Sequence, residues 1–214
     1  MKDISFSMDE GEALVILGQS GIGKSTILKL MAGLLEPESG ALDIDPGESV
    51  VGTRLVFQSP RLFPWLSVRG NLHFALRSAG VPKAQWSERI EPLMEQVGLG
   101  AEIDHATAEL SIGMAQRVAL VRSLVCQPGV LLLDEPFSAL DPKRRKQLQQ
   151  DLLKLVGYTG VSVVMVTHDV DEALEIGDQV VVLNAQPAEL ACVVRPADLG
   201  VDEARAQIER HLLS

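Results

Sequence analysis

Residues 18–25 read GQSGIGKS and satisfy the pattern G-x-x-x-x-G-K-[ST] at every fixed position. The apolar run ALVIL at 13–17 predicts a buried strand before them, and the spacing of apolar residues after Lys24 predicts a helix. The glycines allow a tight loop whose backbone N–H groups converge on phosphate oxygens beside a helix N-terminus. A glycine-rich turn that precedes a lysine by chance rarely has this strand and helix around it. We therefore predict a phosphate-binding loop.

The side chains of this loop suit a nucleotide with its magnesium ion. Lys24 would reach the β- and γ-phosphates, and the hydroxyl of Ser25 would ligate Mg²⁺. Thr26 lies in the same turn and adds a hydroxyl contact. The residues expected to bind the nucleotide are Gly18, Gln19, Ser20, Gly21, Ile22, Gly23, Lys24, Ser25 and Thr26.

A second apolar run, VLLLDE at 130–135, delivers two adjacent carboxylates at the end of a predicted strand. Asp134 is the residue expected to hold Mg²⁺, usually through a water. Successive strand residues face opposite ways, so the two carboxylates cannot share one task unless the strand has ended. Beyond the strand end, Glu135 would be free to orient or deprotonate an attacking water. An ordinary strand-to-loop exit explains the pair equally well in isolation, but after the loop at 18–25 it is the expected second half of one site.

Two further polar residues follow predicted strands. His168 closes the apolar run at 161–167, and parallel strands end on the same edge of a sheet, so we expect it to sense phosphate there. A lone histidine at a strand end is otherwise more often structural. Asp141 precedes Pro142 and is expected to be the N-cap of a helix.

Short apolar runs alternate with helical stretches along the chain, which predicts an α/β fold with a largely parallel sheet. Further strands are expected at 51–57 and at 180–183, the latter being the last, and a short amphipathic helix at 202–213. Strand signals fade between about residues 62 and 124. We therefore predict a helical subdomain, 62–124, inserted in the α/β core.

The composition restricts the classes of partner that the protein can have. The 214 residues suffice for one well-buried domain. Acidic residues outnumber basic ones, 29 to 19. Because a protein that binds nucleic acid through its phosphates needs a basic face, we expect no nucleic-acid partner. Two cysteines without metal-ligand spacing favour a reducing compartment. We find neither a signal peptide nor an apolar run of membrane-spanning length, so we expect a cytoplasmic protein that meets the membrane through a partner.

Taken in order, these motifs resemble those of the ABC ATPase family over nearly the whole chain. The matching segments are GQSGIGKST (Walker A, 18–26), VFQSPRLFPW (Q-loop, 56–65), LSIGMAQRVALVRSL (signature, 110–124), VLLLDEP (Walker B, 130–136), SALD (D-loop, 138–141) and THD (H-loop, 167–169). The resemblance implies a P-loop NTPase core with an inserted helical subdomain, in a single ABC ATPase domain over 1–214, with the signature in the subdomain at 62–124. The runs LFPWLSVRGNL and VVVLNAQPAEL, with Met114, look most like the nitrate/sulfonate/taurine branch of importers.

The resemblance also implies roles in hydrolysis. Gln58 would contact Mg²⁺ or the attacking water and link the core to the helical subdomain. Glu135 is similar to the family's catalytic glutamate, and His168 to its γ-phosphate histidine. The metal would thus be held by Ser25, Gln58 and Asp134, and the cofactors implied are ATP and Mg²⁺.

A head-to-tail pair of ATPase subunits is implied as the working unit, with two ATPs between P-loop and signature. Ser111 and Gly113 match signature residues that touch the γ-phosphate held by the opposite subunit, and Asp141 would lie at the same interface. ATP would close the pair and hydrolysis would reopen it. That movement would drive integral membrane permease subunits, served by a separate solute-binding protein, from the inner face of the cell membrane.

The segment at 61–66 resembles the surface on which importer ATPases receive a coupling helix of the membrane subunit. Alternatively, Phe63 and Trp65 form part of the core of the helical subdomain. The two interpretations are compatible with each other and both stay open at the level of sequence.

Two features depart from the family pattern. The family's N-terminal strand, with its adenine-stacking aromatic, would precede Met1, so we expect a fold that lacks this strand. Tyr158, the only tyrosine, lies beyond Walker B and cannot replace that aromatic. Ile112 stands where a glycine is usual. A β-branched residue tolerates positive φ poorly and would crowd a loop that lies against phosphate, so we expect lowered but not abolished activity.

The leading interpretation is the ATPase subunit of an importer for a small anionic solute such as nitrate, sulfonate or taurine. One alternative is a non-transport ABC protein, such as a scaffold or assembly factor. The other is a hydrolysis-impaired regulatory ABC subunit, which Ile112 and the missing start would favour.

Overall fold

The structure is a computed structural model, and it describes residues 4–45, 49, 51–185 and 187–212. The strands are β1 (Ala13–Leu17), β2 (Val51–Val56), β3 (Pro128–Asp134), β4 (Ser162–Thr167), β5 (Gln179–Asn184) and β6 (Glu189–Val194). The α-helices are α1 (Lys24–Met31), α2 (Val68–Ser78), α3 (Trp86–Gln96), α4 (Ile112–Leu124), α5 (Pro142–Thr159), α6 (Val170–Ile176), α7 (Pro196–Leu199) and α8 (Val201–Leu212). Short 3₁₀ turns cover Lys83–Gln85 and Thr107–Glu109.

The described strands form a six-stranded sheet in the order β2-β3-β4-β1-β5-β6. β1 pairs in parallel with both β4 and β5, with Val15 opposite Met165 on one side and Val180 on the other. All five residues of β1 and all six of β4 are buried, as expected for parallel strands covered on both faces. The predicted α/β class with a largely parallel sheet is confirmed.

The prediction that 180–183 is the last strand is wrong. β6 follows β5 after a short turn and pairs with it antiparallel, at one edge of the sheet. Its residues are mostly half-buried or exposed, so the run ELACVV lacks the dense apolar signal of the central strands. The predicted tail helix is α8, and Leu213 of that prediction lies outside the described residues.

The chain forms two compact units. The first comprises Met1–Ile44, Leu132–Glu135 and Ser162–Ser214, and the second comprises Asp45–Leu131 and Pro136–Val161. The first unit holds β1 with its neighbours β4 and β5, so the carboxyl ends of β1 and β4 lie side by side: Leu17 is in register with Thr167. The last residues of β3 belong to this unit as well.

The second unit contains α2 to α5, which bury apolar faces made by residues such as Leu72, Leu76, Ile90 and Leu120. Its most buried polar side chain is Asn71, whose Oδ1 accepts from the N–H of Phe63 at 2.8 Å. The Asn71 Nδ2 donates to the carbonyls of Phe63 and Ser67, so one amide fixes the whole turn before α2. Among the described residues, no helix combines the length and apolar character that crossing a membrane requires.

Candidate active site

The loop at 18–25 connects the buried β1 to α1, as predicted. A side chain at Gly18 would place its Cβ 3.0 Å from the Leu183 carbonyl oxygen, a tight contact that favours glycine where the loop leaves the sheet. Gly23 is the N-cap of α1 with φ 112°, a conformation that L side chains rarely adopt, and it offers no capping side chain. The first N–H groups of α1 are therefore left without a side-chain cap from this position, as an anion site at a helix N-terminus requires.

Lys24 is buried, with only 4% of the residue exposed. Its Nζ donates to the carbonyls of Gly18 at 2.8 Å and Gln19 at 3.0 Å, and it lies 3.7 Å from Glu135 Oε1. Burial lowers the pKa of Lys24, and the nearby carboxylates of Glu135 and Asp134 partly oppose that shift. The ammonium group is thus held against two carbonyl oxygens of the loop and beside the Glu135 carboxylate.

Ser25 and Asp134 meet at the start of α1 and the end of β3. The Ser25 hydroxyl donates to Asp134 Oδ1 at 2.7 Å. A hydroxyl and a carboxylate are hard oxygen ligands of the kind that Mg²⁺ prefers, so this pair fits the ion. In the part of the chain that the structure describes, no group of three or more His, Cys, Asp or Glu residues could hold a metal ion alone.

Glu135 is the first residue after β3, so the strand ends between the two carboxylates, as their separate predicted tasks require. Its φ is +44°, in the left-handed region, and its N–H donates to the Val166 carbonyl at 3.1 Å. A non-glycine residue in this region costs roughly 1–3 kcal/mol and persists where its surroundings fix it. The carboxylate lies between two cationic or protonatable groups, with Oε2 3.4 Å from His168 Nδ1 and Oε1 3.7 Å from Lys24 Nζ.

His168 directly follows β4, and 51% of its side chain is exposed. The structure thus brings five of the predicted residues together at the carboxyl ends of neighbouring strands in the first unit: Lys24, Ser25, Asp134, Glu135 and His168. Gln58 belongs to the second unit, where its Nε2 donates to Ser138 Oγ at 2.9 Å. Its role at the metal stays a prediction.

The signature segment begins a helix. Ser111 is the N-cap of α4 and its Oγ accepts from the Met114 N–H at 3.3 Å, while Ile112 is the first helical residue. The prediction of backbone strain at Ile112 is therefore wrong, because the residue has helical backbone and not a positive φ. Its side chain is 58% exposed. Among the described residues, a Cβ built on Gly113 would meet nothing within 4 Å, so packing against them does not require glycine there.

Asp141 is the N-cap of α5, as predicted. Its Oδ1 accepts from the N–H of Arg144 at 3.1 Å, and the guanidinium of Arg144 lies 3.3 Å from Oδ2. Pro142 opens the helix behind it. The structural expectation for this residue is confirmed, and its place at a dimer interface stays a prediction.

One residue near the Q-loop is missed by motif reasoning. Arg122 of α4 donates from its guanidinium to the carbonyls of Arg61 at 2.8 Å and Pro60 at 3.1 Å. Burial lowers the pKa of Arg122. These bonds fix the chain just after Gln58, where Arg61 has a positive φ. An arginine among the apolar residues of a helix carries no local signal of such a contact.

Phe63, Trp65 and Phe74 form a connected group, here called the aromatic patch. The ring of Phe63 lies 5.5 Å from that of Trp65 and 4.6 Å from that of Phe74, measured between centroids. Trp65 is 75% exposed and Phe74 is 47% exposed, whereas Phe63 is half-buried. The interpretation of Trp65 as a core residue is therefore wrong.

Comparison with known proteins agrees with these motifs. Residues 1–138 match the model of a family described as ABC transporter. The chain belongs to the ABC transporter family. This ABC subunit is 45% identical to the aliphatic sulfonates import ATP-binding protein SsuB 1 of Xanthomonas axonopodis pv. citri, an alignment that covers 95% of this chain and 84% of the relative. It is 40% identical to the taurine import ATP-binding protein TauB of Roseobacter denitrificans, with 99% and 81% covered.

Among solved structures, the ABC subunit resembles cbiO1 of Clostridium perfringens, part of the ABC transporter complex cbiONQ. The TM-score is 0.79 at 28% identity, and the match covers 95% of this chain and 85% of that one. The ABC ATPase fold and the nitrate/sulfonate/taurine branch expected from the sequence are both confirmed. The chain is an ATP-binding subunit.

Proposed function

We propose that this ABC subunit hydrolyses ATP with Mg²⁺ to drive an importer of alkyl sulfonates. One observation carries the proposal: the Glu135 carboxylate lies 3.7 Å from Lys24 Nζ and 3.4 Å from His168 Nδ1, beside the Ser25–Asp134 pair. The loop at 18–25, the Ser25–Asp134 pair and the Glu135 carboxylate thus lie close together, which supports assigning them phosphate binding, metal ligation and the role of the base. This is the set of groups that phosphoryl transfer to water needs.

In the proposed mechanism the chain mainly positions groups and neutralises charge. The backbone N–H groups of the loop and the Lys24 ammonium bind the phosphates of ATP. Ser25 and Asp134 would hold Mg²⁺, which neutralises charge on the β- and γ-phosphates when it is bound. Glu135 orients a water and accepts its proton as the water oxygen bonds to the γ-phosphorus and the bond to the bridging oxygen of ADP breaks. His168 contacts the γ-phosphate from the neighbouring strand end.

The solute is inferred from the relatives. Taurine is itself an alkyl sulfonate, so the two relatives carry names with a common chemical class. We propose that this subunit works with permease subunits that transport such anions. A separate solute-binding protein would capture the anions and deliver them to the permease. On this proposal the subunit is peripheral on the inner face of the cell membrane.

The nucleotide site is proposed to be completed by a second copy in head-to-tail arrangement. Ser111 caps α4 and Gly113 lies in its first turn, where helix N–H groups suit an anion. A Cβ built on Gly113 would meet no described atom within 4 Å, so the space beside it is open to a group from outside the chain. The γ-phosphate bound by the opposite subunit meets that description.

Reconstitution tests the proposed function. The subunit, its permease and its solute-binding protein would be placed in proteoliposomes with ATP inside, and uptake of labelled taurine would be measured against nitrate. We expect uptake that requires ATP and Mg²⁺ and is abolished by a chelator. Uptake of nitrate but not taurine would refute the solute class, and failure to co-purify with any permease would support a scaffold instead.

Trp65→Ala is expected to lower uptake by about tenfold or more while the ATPase rate of the isolated subunit stays unchanged. The aromatic patch is the proposed docking surface for the coupling helix, and Trp65 is 75% exposed, so its removal should cost little folding free energy. Tyr158→Ala is the matched control, because Tyr158 is also an exposed aromatic, at 55%, but lies on α5. Equal uptake by the two variants would contradict the docking role.

Ile112→Gly is expected to raise ATP turnover severalfold, by less than about tenfold, which corresponds to about 1.4 kcal/mol. The reason is steric, since the exposed Ile112 side chain stands next to Ser111 where phosphate is proposed to dock. Ile112→Ala separates side-chain size from backbone freedom, because alanine favours the helix and glycine costs about 1 kcal/mol there. Turnover that does not rise in either variant would show that Ile112 does not limit activity.

A further inference from the structure

Thr167, the last residue of β4, makes two side-chain hydrogen bonds to residues that follow His168. Its hydroxyl donates to Glu172 Oε2 at 2.6 Å and accepts from the N–H of Asp169 at 3.1 Å. Thr167 is only 1% exposed. The bond between Thr167 and Asp169 joins the residues directly before and after His168, so the Thr167 hydroxyl closes a turn around the histidine.

Glu172 anchors that hydroxyl from α6. It is 4% exposed, and burying a carboxylate is costly unless hydrogen bonds compensate it; the Thr167 hydroxyl supplies one such bond. The N–H of Glu172 also donates to Asp169 Oδ1 at 3.2 Å, and that of Asp171 donates to the same oxygen at 2.8 Å. Hydrogen bonds thereby join Thr167 to Asp169 and Glu172, and Asp169 to the first turn of α6.

The orientation of His168 depends on this turn. Half of its side chain is exposed, so packing restrains it little, and its Nδ1 reaches Glu135 Oε2 at 3.4 Å. On the other side, the N–H of Glu135 is bonded to the carbonyl of Val166, the residue before Thr167. The backbone at 166–169 therefore sets the position of the imidazole relative to the base.

We propose that Thr167 and Glu172 are positioning residues for hydrolysis, which hold His168 at the γ-phosphate by fixing the backbone on both sides of it. The inference rests on the proposed ATPase function and deepens it. Neither residue touches the nucleotide in this proposal. Both act through His168.

Thr167→Val tests the proposal, because valine keeps the branched shape and loses the hydroxyl. We expect kcat to fall about ten- to a hundredfold, the range that a small misplacement of a reacting group produces, with KM nearly unchanged. Thr167→Ser keeps the hydroxyl and should restore most of kcat. Ser162→Ala is the matched control: Ser162 is the first residue of the same strand, is 4% exposed, and accepts from the Gly11 N–H at 2.8 Å. It should lose a comparable amount of stability but keep kcat.

A double-mutant cycle separates positioning from general stability. In a His168→Ala background, measured by single turnover with excess enzyme, Thr167→Val should change the rate by less than about twofold, because the group it positions is gone. Glu172→Gln, which can still accept the hydroxyl bond, should give a smaller loss that also disappears in this background. The Glu172→Gln variant serves as the test if Thr167→Val does not fold.

Failure of the positioning role and failure of the proposed ATPase function give different results. Equal losses in the wild-type and His168→Ala backgrounds, or a loss in Ser162→Ala as large as that in Thr167→Val, would overturn the positioning role. So would wild-type turnover in Thr167→Val. Absence of ATPase activity in the wild type with its permease would instead refute the proposed function.

Discussion

Glu135→Gln is expected to reduce ATP turnover by about 10²- to 10³-fold and to leave ATP binding unchanged or tighter. Glutamine keeps the size of the side chain between Lys24 and His168 but can neither accept a proton from water nor repel a phosphate. Steady-state phosphate release and equilibrium binding of ATP would measure the two effects separately.

Glu91→Gln provides the control for this change, since Glu91 is an exposed carboxylate on α3 in the second unit. It should behave as the wild type in both measurements. Turnover of Glu135→Gln within tenfold of the wild type would mean that another group is the base. Loss of ATP binding would mean that the carboxylate is needed to build the site and not only to act in it.

Lys24→Met is expected to weaken ATP binding by about a hundredfold or more, equivalent to about 2.7 kcal/mol. The buried ammonium donates to two carbonyls of the loop, and methionine replaces it with an apolar chain of similar length. Binding would be followed by calorimetry. Lys29→Met on the same helix is the control, because Lys29 is exposed and should leave affinity unchanged.

The same substitution is expected to leave the free energy of unfolding of the nucleotide-free protein equal or raised at neutral pH. Burial lowers the pKa of Lys24 below its ordinary value of 10.5, so the unfolded chain binds this proton more tightly than the folded one. The wild type should therefore gain stability as pH rises from the lowered folded pKa towards 10.5, and Lys24→Met should lose that gain. A clear loss of stability at neutral pH would contradict this.

Local patterns were enough to predict the loop at 18–25 and the ends of the strands beside it. Strand–loop–helix spacing and apolar runs are short-range features, so the strand ends at Leu17 and Asp134 followed from residues close in sequence. The position of Glu135 beyond β3 followed as well. What each side chain does there remains a prediction supported by its neighbours.

The rest depends on contacts between distant segments. β6 has a weak apolar pattern and exists because β5 offers an edge to pair with. Arg122 was not recognisable because its partners, Pro60 and Arg61, lie some sixty positions earlier in the chain. The strain assigned to Ile112 was wrong for a local reason, because Ser111 caps a helix that begins one residue later.

The left-handed backbone at Glu135 has a consequence for directed evolution. A library screened only for resistance to heat should exchange this glutamate for glycine early, because glycine adopts a φ of +44° without strain. A library screened for nucleotide turnover should retain the acidic residue despite its strain. Position 135 therefore indicates which of the two properties a selection has rewarded.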